Sequence, residues 1–119
     1  MARSDAGAVA STCLKAWTTG DLATTRSVLA DDVTFVGPLG ETDGIDAYMR
    51  GIEGLAKIVE GADQQQLIVD GDDVCIIYDL VTSTPPATLP TAGWYHVVDG
   101  KITSVRAYFD PRPLLADAS

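Results

Sequence analysis

Positive charge is scarce in this chain: 8 Lys and Arg stand against 17 Asp and Glu, a formal net charge of −9 with a pI near 4.2. Coulomb repulsion then opposes nucleic acid and anionic membranes as partners, and the acidity also has the plain role of a solubilising surface. No apolar run approaches the roughly 18 residues that a bilayer crossing needs. Met1-Ala2-Arg3-Ser4-Asp5 opens no apolar stretch of the signal-peptide kind, so the expected compartment is the cytoplasm. Cysteine is limited to Cys13, in a helical pattern, and Cys75, in a strand pattern. No second ligand type is spaced for zinc, so buried thiols are expected rather than a disulfide or a metal site. Missing too are a phosphate loop, a nucleotide-binding glycine motif and a Ser–His–Asp order.

What is present is ordinary for one soluble globular domain spanning residues 1–119, with 46% apolar and 21% charged residues and length enough for a core. Ala6 to Thr19 places Val9, Cys13, Leu14 and Trp17 on one helical stripe. Gly20 is the expected stop, and Asp21 the expected cap of a second helix over Leu22 to Ala30. Val33-Thr34-Phe35-Val36 reads as a short strand closed by Gly37-Pro38. Leu39 to Asp43 reads as a loop, and Ile45 to Glu60 as a third helix with a wide apolar stripe.

The rest reads as strands. Gln64 to Asp70 leads through Gly71-Asp72-Asp73 into Val74 to Ser83, where Val74, Ile76, Tyr78 and Leu80 share one face and Cys75, Ile77, Asp79 and Val81 the other. Both faces are largely apolar, so one must meet helices and the other a partner subunit or a cavity. Pro85-Pro86 breaks the ladder. The final pair flanks Asp99-Gly100, a strong hairpin signal; Trp94, His96 and Val98 share one face there, as do Val105, Ala107 and Phe109. The half-apolar face carrying the chain's one histidine reads as a pocket wall. The tail after Pro111 is expected to fray. Three helices and a mostly antiparallel sheet predict an α+β cone, its sheet curled around the long helix to leave a cavity.

Ala16-Trp17 through Gly20-Asp21-Leu22, Leu29 to Val33, Gly44 to Tyr48, Tyr78-Asp79-Leu80, and Val98 to Ile102 through Tyr108-Phe109-Asp110 together resemble the nuclear-transport-factor-2-like superfamily. Within it they are similar to the SnoaL-like polyketide cyclase, ketosteroid isomerase and limonene epoxide hydrolase group. The resemblance implies a cone with one deep pocket and a homodimer joined through the outer sheet face; the fold hosts many activities and implies no single one. Where the ketosteroid isomerase branch carries its Asp base this chain has Gly37, and at the two oxyanion-hole places it has Cys13 and, approximately, Trp94. Arg106 to Asp110 is similar to the last-strand motif of the epoxide hydrolase. Of that enzyme's site Asp79 alone matches: Ala107, Ile77, Phe35 and Gly37 stand at the other places.

The candidate catalytic residues are Asp79 and His96. Asp79 sits mid-strand among apolar neighbours on the expected pocket face, where desolvation would make it a useful acid or base; a structural hydrogen bond is the competing explanation. With Pro85-Pro86 at the centre of its hairpin, Asp79 lies roughly opposite Trp94 and diagonal to His96, within reach of orienting the imidazole. Trp17, Phe35, Tyr48, Ile77, Trp94 and Ala107 are the candidate substrate-binding residues, with core packing as the competing explanation for the aromatic ones. Arg106 falls on the opposite face from Ala107. The reading is a SnoaL-like enzyme doing acid/base chemistry (cyclisation, isomerisation or epoxide opening) on an apolar small molecule, without metal or organic cofactor. The alternatives are a non-catalytic small-ligand-binding domain and a dimerisation module of the same fold.

Overall fold

The computed structural model describes residues 6–115. Helix α1 (Ala6–Thr18) is followed by α2 (Leu22–Ser27), strands β1 (Leu29–Gly37) and β2 (Gly40–Asp43), then α3 (Ile45–Ala56). Strands β3 (Val59–Asp70), β4 (Asp73–Ser83), β5 (Pro86–Val98) and β6 (Lys101–Tyr108) follow, and a single turn, α4 (Arg112–Leu115), closes the described chain. The strands form one six-stranded sheet in the order β2-β1-β6-β5-β4-β3. Only the β1–β6 pairing is parallel; the others are antiparallel.

The first two helices are joined as their sequence predicts. The Gly20 N–H donates to the Trp17 carbonyl and the Asp21 N–H to the Ala16 carbonyl, with Gly20 at φ 88°, a Schellman ending that glycine makes without steric cost. Asp21 then caps α2, its carboxylate accepting from the Thr24 N–H and hydroxyl. Both later helices end sooner than expected. Val28 is already tied to the sheet through its carbonyl, which accepts from the Ile102 N–H, and the Ile58 carbonyl accepts from Ser83. Pairing to a neighbouring strand thus outcompetes continued helix at both β-branched junctions. Gly40–Asp43, expected as loop, is a strand paired with β1. Of the tail expected to fray, Arg112–Leu115 is helical, and residues 116–119 lie outside the described residues.

On β4, Val74, Ile76, Tyr78 and Leu80 are buried while Cys75, Ile77, Asp79 and Val81 are not. The first set faces the helices, where it packs with Cys13, Leu14 and Trp17 of α1 and Tyr48, Met49 and Ile52 of α3 in one core. Curvature has visible causes. Bulges shift the register between Val59 and Gly61, between Gln64 and Gln66, and between His96 and Val97, and bulges increase local twist. Among the described residues no helix is long and apolar enough to cross a membrane.

Candidate functional site

The β4–β5 hairpin decides what the candidate residues meet. Ser83 pairs with Pro86, so the turn is Thr84-Pro85 and not the Pro85-Pro86 pair. Two prolines are tolerated in β5 because β6 ends opposite Ala92, leaving the stretch before it with one unpaired edge. Moving the turn moves every partner: Asp79 faces Pro90, Trp94 faces Cys75, and His96 faces Asp73. The expected Asp79–His96 pair is therefore not formed.

The expected pocket wall is corrected as well. Asp79, Ile77, Trp94 and His96 all sit on the outer face, away from the helices; Ile77 and Trp94 are 37% and 46% exposed. There His96 Nδ1 lies 2.9 Å from Asp73 Oδ1, which also accepts the Trp94 indole N–H at 2.9 Å. The Asp73 carboxylate, an acceptor, thereby takes the Nδ1–H hydrogen bond and orients the imidazole. The two donors, His96 before Trp94, hold the Asp73 carboxyl below its ordinary value. Beside this group a groove of about 330 Å³ is lined by Ile68, Cys75, Ala92, Trp94 and Tyr108. Cys75, expected buried, is half-buried at this groove, while Cys13 is enclosed; both are free thiols.

The other four candidates do lie inside the cone. Trp17 and Tyr48 are buried, and Phe35 packs against the same core. Ala107 pairs with Gly93 of β5, and its carbonyl lies 3.8 Å from the point where a Cβ on Gly37 would stand. Gly37, Ala107 and Gly93 thus make a row of small residues across the inner face. Aromatic rings fold over that row. The Phe35 ring covers Gly37, its Cζ 2.7 Å from that Cβ point, and meets Tyr48 at a centroid distance of 5.7 Å. The Tyr95 ring covers Gly93 with its hydroxyl 3.3 Å from the corresponding point, and Tyr78 Cε1 lies 3.5 Å from it.

Tyr78 and Tyr95 are interior residues that the sequence reading passed over as candidates. Their signal was present: Tyr78 shares the face of Val74, Ile76 and Leu80, and Tyr95 follows Gly93 at the two-residue spacing that lets an aromatic ring lie over a glycine. Burial is the first cause pushing the Cys13 thiol up to about 12 and the hydroxyls of Tyr48, Tyr78 and Tyr95 upward from their ordinary value. Among the described residues no Asp, Glu, His, Lys or Arg is buried, and the buried polar side chains beside the tyrosines and Cys13 are threonines. Among the described residues no cluster of three metal-ligating side chains occurs.

A curved six-stranded sheet closed by N-terminal helices over an aromatic interior is the nuclear-transport-factor-2-like architecture. The chain belongs to the SnoaL-like domain family, whose pattern matches residues 10–105. Among solved structures it is similar to an NTF2-like protein of unknown function from Cytophaga hutchinsonii ATCC 33406, at 31% identity over 90% of this chain and 91% of that one, TM-score 0.79. A protein from Kribbella flavida DSM 17836 is 29% identical over 93% and 91% of the two chains, TM-score 0.87. An LEH-like epoxide hydrolase from M. tuberculosis is 21% identical over 98% and 90%, TM-score 0.81, a likeness of fold alone. No curated protein matches the chain. The resemblance to the SnoaL-like group and the α+β cone expected from sequence are both confirmed.

Proposed function

We propose that this SnoaL-like chain binds one small, mostly apolar molecule inside the cone without converting it, and that it works as a homodimer joined through the outer sheet face. The observation that supports binding over proton-transfer chemistry is the identity of the interior's ionisable groups. Cys13, Tyr48, Tyr78 and Tyr95 are all shifted upward by burial, so each stays protonated near neutral pH and none serves there as a base. The chain's histidine and the Asp79 carboxylate stand on the opposite side of the sheet. Support for the homodimer is the outer face itself, where Ile68, Ile77, Trp94 and Tyr108 are exposed in adjacent register.

The experiment is a panel of hydrophobic ring compounds read by thermal shift and by backbone chemical-shift mapping, with each compound analysed for conversion. Binding predicts a raised Tm, shifts centred on Tyr48, Tyr78 and Tyr95, and intact compound. Conversion abolished in His96→Ala would replace this reading with the acid/base enzyme. A panel that never moves the Tm would leave the interior as plain core.

A further inference from the structure

Charge on the outer face of the sheet is left unpaired within one chain. Strands β3 to β6 carry two lysine or arginine residues, Lys101 and Arg106. Lys101 donates to the Ser27 carbonyl, whereas Arg106 stands exposed on β6 beside its ladder partner Trp94. Asp63 of β3 and Asp79 of β4 face each other in direct register on the same outer face. Like charges set opposite one another on a ladder repel. Among the described residues the ion pairs are Arg26–Asp46, His96–Asp73 and Arg112–Asp110. The side-chain donor that reaches the Asp63 carboxylate is the neutral amide of Gln65, which leaves the repulsion in place.

The opposite charges stand too far apart to meet within the chain. Arg106 is level with Trp94 and Asp79 with Pro90, two strand spacings across the sheet and four residues along it. That is about 16 Å between Cα atoms, against the about 4 Å between charged atoms that defines an ion pair. Asp73, nearer along the sheet, already accepts from His96 and Trp94. The midpoint of the Arg106–Asp79 diagonal falls at Ala92 of β5, a small residue beside the exposed Ile77 and Trp94.

We infer that charge sets the register of a second copy on this face: the two outer faces stack about a two-fold axis over Ala92, and Arg106 of each copy meets the partner's Asp79 and the partner's Asp63. This rests on the homodimer reading above and names the contact that orients it. A two-fold interface presents the same patch from both sides. An axis crossing the diagonal at its midpoint exchanges the two ends, so the contact is made twice. Stacked sheets lie about 10 Å apart, a gap that an arginine and an aspartate reach across from opposite sides. The forked guanidinium suits carboxylates and relieves the repulsion between the two it meets. At a net charge of −9 two copies repel each other, which favours the arrangement that sets the free cation of each against carboxylates of the other. A register that covers Arg106 without a carboxylate buries an unpaired charge. Ile77 and Trp94 then lie between the charged ends as the apolar centre of the contact.

Two complementary variants test it by sedimentation over a dilution series: Arg106→Glu, and Asp63→Asn combined with Asp79→Lys. Each alone should dissociate at least about tenfold more readily than wild type, since each sets like charge against like across the interface. This holds for the second variant although it lowers the net negative charge, which would tighten the dimer if overall repulsion ruled. An equimolar mixture of the two should form heterodimers within about threefold of the wild-type affinity, because reversed charge then meets reversed charge and native meets native. A within-chain role for either residue gives no such rescue. A mixture no tighter than its components, or either variant dimerising as wild type does, overturns the inference and leaves the homodimer standing. Arg106→Gln keeps the length of this exposed side chain without its charge, and should weaken the dimer by itself; wild-type affinity in that variant also overturns the inference. A wild type that is monomeric at every concentration removes the inference and the homodimer reading together.

Discussion

Asp73 holds His96 across the β4–β5 ladder, with Nδ1 2.9 Å from Oδ1, and draws the Trp94 indole N–H to the same oxygen. Because those donors favour the charged carboxylate, Asp73 is held below its ordinary 3.8 in the folded chain. The sign follows: a depressed folded value gives stabilisation that is complete above the unfolded value and is lost as pH falls through the folded one. Asp73→Asn removes the titration and keeps the shape. The expected outcome of calorimetry down the acid range is a wild-type Tm advantage near neutral pH that closes below 3.8. A gap that stays constant with pH would show that the carboxylate's charge plays no part.

Gly37 and Gly93 are predicted to differ in their tolerance of a methyl group. A Cβ on Gly37 would stand 2.7 Å from Phe35 Cζ and 2.9 Å from Cε2, and the Phe35 ring is itself backed by Tyr48. Gly37→Ala must push that ring off its seat, at a cost of about 1–3 kcal/mol typical of overpacking. At Gly93 the nearest atom, Tyr95 Cε1, is 3.1 Å away. A shift of a few tenths of an ångström relieves it, partly offset by the about 0.4–1 kcal/mol that Gly→Ala gains through the unfolded chain. Urea midpoints at constant m should rank Gly37→Ala as the more damaged variant.

Much of this fold is written in local chemistry. Asp99 and Gly100 both take positive φ, 52° and 78°, which is the two-residue turn their dipeptide favours, and the Gly20-Asp21 junction is equally local. The faces of β4 were legible as faces, but which one met the helices was not, because Cys75, Ile77 and Val81 are as apolar as the residues that are buried. The site depended on that choice and on the hairpin register. With the turn at Thr84-Pro85, Asp73 stands opposite His96 and Asp79 opposite Pro90, six residues along β5 from the imidazole. Strand β2 was hidden for another reason: Gly-Glu-Thr-Asp has no apolar alternation, and its pairing is decided by β1 alone. Tertiary context, not propensity, settles each of these.

The two thiols should be distinguishable without any mutation. Cys75 is partly accessible at the outer groove, whereas burial raises Cys13 to about 12. At concentrations low enough to part the two copies, a thiol-specific chromogenic reagent near neutral pH should titrate one group quickly and the second only on unfolding, since thiolate is the reactive form. Cys75→Ser should abolish the fast phase, and Cys13→Ser should leave it.

The same burial makes the fold sensitive to alkali. A folded value raised above the unfolded one contributes stability that is whole below the unfolded value, 9.0 for the Cys13 thiol, and is lost as pH climbs towards about 12. Tyr48, Tyr78 and Tyr95 follow the same sign from their ordinary 10.0. Each such group steepens the decline by about 1.4 kcal/mol per pH unit while only the unfolded chain ionises. Denaturant titrations should therefore show stability falling above pH 9 and, from about pH 10 upward, falling less steeply in Tyr95→Phe than in wild type.

The outer face offers the sharpest test of assembly, because the two tryptophans report separately: Trp17 is 5% exposed and Trp94 46%. If this face joins two copies, sedimentation should give a dimer whose dissociation on dilution red-shifts the Trp94 component, and the Tm should rise with concentration. Trp94→Glu places a charge in the centre of the apolar belt formed with Ile68, Cys75 and Tyr108. A central aromatic anchor carries about 2 kcal/mol or more, so dissociation should strengthen at least about thirtyfold. The isolated chain should keep its sheet by circular dichroism, since Trp94 contributes nothing to the buried core. A wild type that sediments as a monomer at every concentration, with unchanged Trp94 emission, would remove the homodimer and leave this apolar face without its proposed occupant.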